Sequence, residues 1–136
     1  MIVLDSSAVV AMMLDEPGAE AIAARLSEEP PGGRLFSCAD YVEAGAVLAG
    51  RAAGTKDQAI RDLEAFISRF AITLAPVDDQ QARTALQTRL RYGRGFKSSA
   101  KLNYGDCFAY ALAKAMDAPL LYVGNDFTAT DVASAL

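Results

Sequence analysis

No histidine occurs anywhere in the 136 residues, and no tryptophan. The first absence removes whole classes of chemistry. Ser-His-Asp and Cys-His catalysis need an imidazole base, as do ribonucleases that act through a histidine pair. Zinc sites built on imidazole are excluded as well. Any catalysis must fall to carboxylates, hydroxyls, lysines or a metal ion. Cysteine is scarce: only Cys38 and Cys107 occur, with no Cys-x-x-Cys. Both lie in apolar patterns, so two buried free thiols are expected rather than a disulfide. No apolar run approaches the ~20 residues of a membrane span. No basic segment followed by an apolar one opens the chain, so a cytoplasmic protein without a secretion signal is expected. No Gly-x-Gly-x-x-Gly follows the first apolar run, which disfavours a nucleotide-binding redox domain.

What is present is an apolar majority, 52% of residues, which suffices for a real core. The length fits one domain, residues 1–136. The net charge of −4 argues weakly against broad nucleic-acid binding, but overall charge hides local patches.

Met1 to Leu4 is an apolar run rich in β-branched residues and reads as a buried strand. A turn carrying Asp5 follows, then a helix from Ala8 to Leu14 capped by Ser6 or Ser7. Ala19 to Ser27 reads as a second helix, and the Glu28–Gly33 stretch as a loop. Arg34 to Cys38 reads as a second strand and Ala39 to Ala53 as a helix with Glu43 as its only acid after Asp40. Thr55 caps a helix from Lys56 to Phe70. Ala71 to Ala75 is a third strand, and a helix runs from Asp78 to about Tyr92. Arg91 to Lys101 reads as a loop. Asn103 to Asp117 is a helix apolar on most sides, hence buried, with Ala109, Leu112, Ala113 and Met116 on one face and Asp106 in its first turn. Gly105 suits a bend or a close backbone approach. Leu120 to Val123 is a fourth strand, followed by a turn at Gly124 to Asp126.

Strands alternating with helices indicate an α/β class, and near-continuous apolar strands a mostly parallel sheet covered on both faces. In such sheets, sites form beyond the carboxyl ends of the strands. Asp5 follows strand one and Asp126 follows strand four. Asp106 starts the helix before strand four, and Glu43 lies on the first turns of the helix after strand two. These acids fall on one expected edge. Two carboxylates ~4 Å apart repel by roughly 4 kcal/mol at an effective dielectric near 20, so protons or cations must neutralise such a cluster. Without histidine, an all-oxygen site for Mg²⁺ or Mn²⁺ is the natural metal option. Phosphodiester hydrolysis is the chemistry that follows. Ser6 or Ser7 can hydrogen-bond a carboxylate or the phosphate.

Arg83 to Lys101 contains Arg83, Arg89, Arg91, Arg94, Lys97 and Lys101 and no acid. Tyr92, Phe96 and Tyr104 interleave with it. Basic side chains contact phosphates and aromatics stack on unpaired bases, so Arg91, Arg94, Lys97 and Lys101 are candidate substrate contacts. A solvated face, or a docking surface for an acidic partner segment, is the other reading of this stretch.

Four segments together resemble a known family. They are Met1-Ile-Val-Leu-Asp-Ser-Ser-Ala8, an isolated Glu43 within a helix, Leu102-Asn-Tyr-Gly-Asp-Cys-Phe-Ala-Tyr-Ala-Leu-Ala-Lys114, and Leu120-Leu-Tyr-Val-Gly-Asn-Asp-Phe-Thr-Ala-Thr-Asp131. They look like the motifs of PIN domains, and most of all those of VapC-type toxins of prokaryotic toxin–antitoxin pairs. The resemblance covers essentially the whole chain. It implies a three-layer α/β/α PIN-like fold with a sheet of four or five strands, the last brief or absent. It implies a Mg²⁺- or Mn²⁺-dependent endoribonuclease. Asp5 and Asp106 would be the main metal ligands, with Glu43 and Asp126 completing the cluster and Asp131 a further acidic position. It also implies a homodimer, inhibited by a small VapB-type antitoxin whose C-terminal segment enters the active-site groove and whose N-terminal part binds operator DNA. Two alternatives stand beside it. One is a domain that only binds RNA or its antitoxin. The other is an aspartyl-nucleophile phosphatase, which would need a second Asp where Ser7 stands.

Overall fold

The computed structural model describes all residues, 1–136. Four short strands and six helices alternate along it: β1 (Ile2–Leu4), α1 (Ser6–Met13), α2 (Ala19–Ser27), β2 (Arg34–Ser37), α3 (Cys38–Arg51), α4 (Lys56–Arg69), β3 (Thr73–Ala75), α5 (Asp79–Tyr92), α6 (Tyr104–Ala115) and β4 (Leu120–Leu121). The strands form one sheet in the order β3-β2-β1-β4, and every pairing is parallel. No helix is long and apolar enough to cross a membrane.

Side-chain alternation along the strands separates two cores. Val3, Leu35 and Leu120 pack with α5 and α6. Ile2, Leu4, Phe36 and Leu121 pack with the layer of α1 to α4. The sheet is thus sandwiched, as the uninterrupted apolar runs require, and Ile2, Val3 and Leu4 are wholly buried. Helix α6 is buried on most sides as well, from Gly105 through Ala113. Its glycine and alanines let it lie close to α3 and the sheet.

This strand order puts the site in place. The chain leaves β1 for β2 and β3 on one side, then returns to place β4 on the other. The crevice beyond the carboxyl end of β1 is therefore a topological switch point, where loops diverge and a cleft opens. Asp5 stands at that point, and its N–H donates to the Leu121 carbonyl at 2.9 Å.

Several boundaries differ from the sequence reading, each for a local reason. Asp5, not Ser6 or Ser7, caps α1, because its extended backbone lets its carboxylate accept the Ser7 N–H at 3.0 Å. β3 begins at Thr73 because Ala71 takes a left-handed φ of 48° that ends the preceding turn. β4 stops at Leu121, and the chain beyond Asp131 adds only an isolated bridge from Ser134 to Leu120. Arg91 and Tyr92 belong to the last turn of α5. Met116 caps α6 and is 40% exposed, so it leaves the buried face expected of it. Cys107 is buried, whereas Cys38 is only half-buried, and both thiols are free.

Candidate active site

The cleft beyond β1 has a volume of about 480 Å³, and Asp5, Glu43, Asp106 and Asp126 all line it. A larger groove of about 670 Å³ runs between α1, α2 and α4, lined by Met12, Met13, Phe66 and Phe70. The carboxylates converge in the smaller space, which makes it the candidate site.

Asp5 and Asp106 are held by neighbours in their own turns, and Glu43 by a residue of α1. Asp5 is almost wholly buried. Its Oδ2 accepts from both the N–H and the hydroxyl of Ser7, while its Oδ1 has no partner. The Ser7 hydroxyl in turn accepts the Val123 N–H at 3.1 Å, tying the turn after β4 to the start of α1. Glu43 Oε1 accepts from the Ser6 hydroxyl at 2.6 Å. Ser6 therefore enters the site as the holder of a carboxylate, and its hydroxyl proton is not free for a phosphate. Asp106 sits in a reciprocal capping box with Asn103: its Oδ2 accepts the Asn103 N–H at 2.9 Å, and its own N–H donates to Asn103 Oδ1 at 2.8 Å. Asp126 is exposed in the turn after β4, at the cleft wall.

Gly105 explains how α3 and α6 meet here. A Cβ at that position would fall 1.3 Å from Glu43 Oε2. The Glu43 carboxyl thus occupies the space that any other residue's side chain would fill, which is the close approach its glycine suggests.

Burial and mutual repulsion set the protonation of the cluster. Asp106 is pushed up from 3.8 to about 7, first by desolvation and then by the charge of Asp5, with smaller contributions from Asp126 and Glu43. Asp5 is pushed up to about 6 by desolvation, against the lowering hydrogen bonds from Ser7. Both carboxyls want a proton or a cation near neutral pH.

The cleft fits a hard cation by its donor set. Its acids offer oxygen only, no cysteine lines it, and the buried Asp5 Oδ1 lacks any partner. The carboxylates surround the space without closing into a ready cage of three ligands.

A model of the PIN domain matches residues 2–133 of the chain. The chain is 41% identical over 132 residues to the protein named Ribonuclease VapC of Mycolicibacterium smegmatis, covering 97% of this chain and 98% of that one. The chain belongs to the PIN-domain family, among the VapC ribonucleases. Its fold is also found in Mycobacterium tuberculosis VapC20, described as a sarcin-ricin loop cleaving toxin. There the TM-score is 0.76 at 14% identity, with 97% of this chain and 96% of the other covered. A toxin-antitoxin complex from Klebsiella pneumoniae contains a chain of the same fold, with TM-score 0.71 at 15% identity and coverage of 100% and 98%.

Other residues singled out in this PIN domain have different fates. Asp131 does not line the cleft. It accepts from the Tyr110 hydroxyl and pairs with Lys114 at 3.1 Å, pinning the C-terminal segment to α6. Tyr110 and Lys114 hold its carboxyl below the ordinary value. Arg91, Arg94, Lys97 and Lys101 are all exposed, but none lines the acidic cleft. Arg91 lies in the last turn of α5, and the loop that carries the other three is closed by a parallel bridge from Gly93 to Leu102 and by Arg89, which donates to the Leu102 carbonyl. It therefore ends directly at Asn103, beside Asp106. Tyr92 is buried and cannot stack on a base, whereas Phe96 and Tyr104 are exposed, Tyr104 at 73%.

Sequence reasoning passed over Arg51, Asn103 and Asp40. Arg51 is the cation of the cleft wall, paired with Glu16 at 3.7 Å. Asn103 was legible as Asn-x-x-Asp, an N-cap signature. Asp40 is wholly buried in α3.

Ser7 yields a direct prediction. Ser7→Ala removes the hydroxyl's hydrogen bond to Asp5, leaving that of the backbone N–H, and the acceptor of the Val123 N–H. Loss of such a supporting group is expected to weaken Mn²⁺ binding by about 10–100-fold, read by calorimetry, and to lower stability by about 1 kcal/mol. Unchanged Mn²⁺ affinity would show that Asp5 needs no support from Ser7.

Proposed function

We propose that residues 1–136 act as one PIN domain, a Mg²⁺-dependent endoribonuclease and the toxin of a toxin–antitoxin pair, working in the cytoplasm. Mn²⁺ can take the place of Mg²⁺. The observation that carries this reading is the convergence of Asp5, Glu43, Asp106 and Asp126 on one cleft in a chain of the VapC family.

Asp5 and Asp106 supply the principal cation ligands. Glu43, steadied by Ser6, and Asp126, at the cleft wall, complete the acidic set directly or through water. A divalent cation held there supplies a water of lowered pKa and stabilises the leaving oxygen of the phosphodiester. The protein's part is to orient the carboxylates and to shed the protons that Asp5 and Asp106 hold near neutral pH. Arg51 at the cleft wall, Arg91 at the end of α5, and Arg94, Lys97 and Lys101 of the following loop contact the RNA backbone. Phe96 and Tyr104 offer exposed rings to unpaired bases. A cognate VapB-type antitoxin and a second copy of this chain are the expected protein partners.

The test is induction of the chain in bacteria without its antitoxin. Growth should stop, and Asp5→Asn, expressed to the same level, should leave growth unaffected. Arrest by Asp5→Asn equal to the wild type would favour a domain that acts by binding alone.

A further inference from the structure

We propose that Asp40 is an additional carboxylate of the cation site, acting from beneath the floor of the cleft. The inference rests on the metal-dependent reading above and concerns a residue that the four-acid cluster does not include.

Asp40 is wholly buried, and neither of its carboxyl oxygens has a hydrogen-bond partner. Its local sequence offers an ordinary explanation, which the geometry removes. Ser37 caps α3 and Asp40 stands three residues on, the spacing of a capping box. In that arrangement the Asp40 carboxylate would reach back to the Ser37 N–H. It does not, and Ser37 caps through Ala39 instead. No lysine or arginine compensates Asp40 either. The charges that act on it are those of Asp5, Glu43 and Asp106, all negative.

Buried carboxylates in proteins are paired, hydrogen-bonded or bound to metal. The first two options are absent here. A permanent proton would not resolve the matter, because the resulting acid would still leave a donor and an acceptor unmatched. A cation placed among Asp5, Glu43 and Asp106 would answer the unpartnered oxygens of Asp40 and the free Oδ1 of Asp5 together. Asp40 and Glu43, at i and i+3, lie on one face of α3, so one helix would present two carboxylates to the same ion. Asp40 then raises the negative charge facing the cation and the affinity for it.

The test is Mn²⁺ binding by calorimetry, with the metal-induced rise in Tm as a second readout. It compares the wild type, Asp40→Asn and, as a control, Asp106→Asn. Asp40→Asn is expected to bind Mn²⁺ about 10–100-fold more weakly and to be more heat-stable than the wild type when metal-free. Wild-type affinity and an undiminished metal-induced Tm shift in Asp40→Asn would overturn the proposal while leaving the four-acid site standing. Absence of Mn²⁺ binding by the wild type would overturn both. If Asp40→Asn does not fold, the carboxyl carbon resonance of Asp40 in the wild type is followed during Mg²⁺ titration. It should move with those of Asp5 and Asp106 over the same concentrations, and a stationary resonance would overturn the proposal.

Discussion

Asp106→Asn is expected to abolish RNA cleavage and at the same time to stabilise the metal-free protein at pH 8. The two effects share one cause. Asp106 is a buried carboxyl pushed up to about 7 by desolvation and by Asp5. Above that pH it stands ionised among other acids, which costs the fold stability that a cation would restore. Asparagine keeps the carbonyl oxygen that accepts the Asn103 N–H, so the cap of α6 survives without the charge. Loss of a principal cation ligand should lower the rate about a thousandfold or more, equivalent to ~4 kcal/mol of transition-state stabilisation. The pH dependence separates this account from a general packing effect. In the unfolded chain Asp106 loses its proton near its ordinary value of 3.8, while the folded protein keeps it to about 7. Between those values the native state binds more protons, so wild-type stability falls as pH rises from about 4 to about 7 and levels off above. Asp5, pushed up to about 6, adds to the same trend. The gain in Asp106→Asn should therefore be on the order of a few kcal/mol at pH 8 and small at pH 4. Urea unfolding of the metal-free proteins across this range measures it, and a gain independent of pH would contradict the assignment.

Gly105→Ala is expected to fold and yet to lose about 100-fold in cleavage rate. The new methyl group would collide with the Glu43 carboxyl, 1.3 Å from Oε2, and not with backbone. A flexible side-chain end gives way more readily than a helix, so Glu43 swings out and its bond from Ser6 breaks. Alanine also gains up to ~1 kcal/mol of helix propensity over glycine, offsetting part of the disturbance. A double-mutant cycle isolates the mechanism. In a Glu43→Ala background there is no carboxyl to displace, so Gly105→Ala should cost little further activity. Full additivity would mean that the methyl group acts on something other than Glu43.

The fold was legible where burial leaves a direct mark on sequence. β1 is a continuous apolar run because both faces of the sheet are covered, and α6 is apolar on most sides because it lies between α5 and the sheet. The acids Asp5, Glu43, Asp106 and Asp126 were legible because parallel sheets deliver strand ends and helix starts to one edge. What sequence could not reveal are relations between elements distant along the chain. Asp40 reads locally as a capping acid, and only the packing of α3 against α1 and α6 exposes its lack of partners. Asp131 lies in the same motif as Asp126, yet Tyr110 and Lys114 draw it away. Tyr92 looks like a stacking platform among basic residues until α5 turns it into the core. Ser6 and Ser7 were equivalent as hydroxyls near Asp5; the turn of α1 sends one to Glu43 and the other to Asp5.

Asp5, Glu43, Asp106 and Asp126 are proposed to hold a divalent cation for RNA cleavage. The most direct test is digestion of total cellular RNA by the purified, antitoxin-free protein. Reactions are run with Mg²⁺, with Mn²⁺ and with chelator, beside Asp5→Asn and Asp106→Asn. Discrete fragments that require metal and disappear in both variants are the expected result, and sequencing their ends identifies the cleaved RNA. Cleavage that persists in chelator, or in either variant at the wild-type rate, would contradict the account.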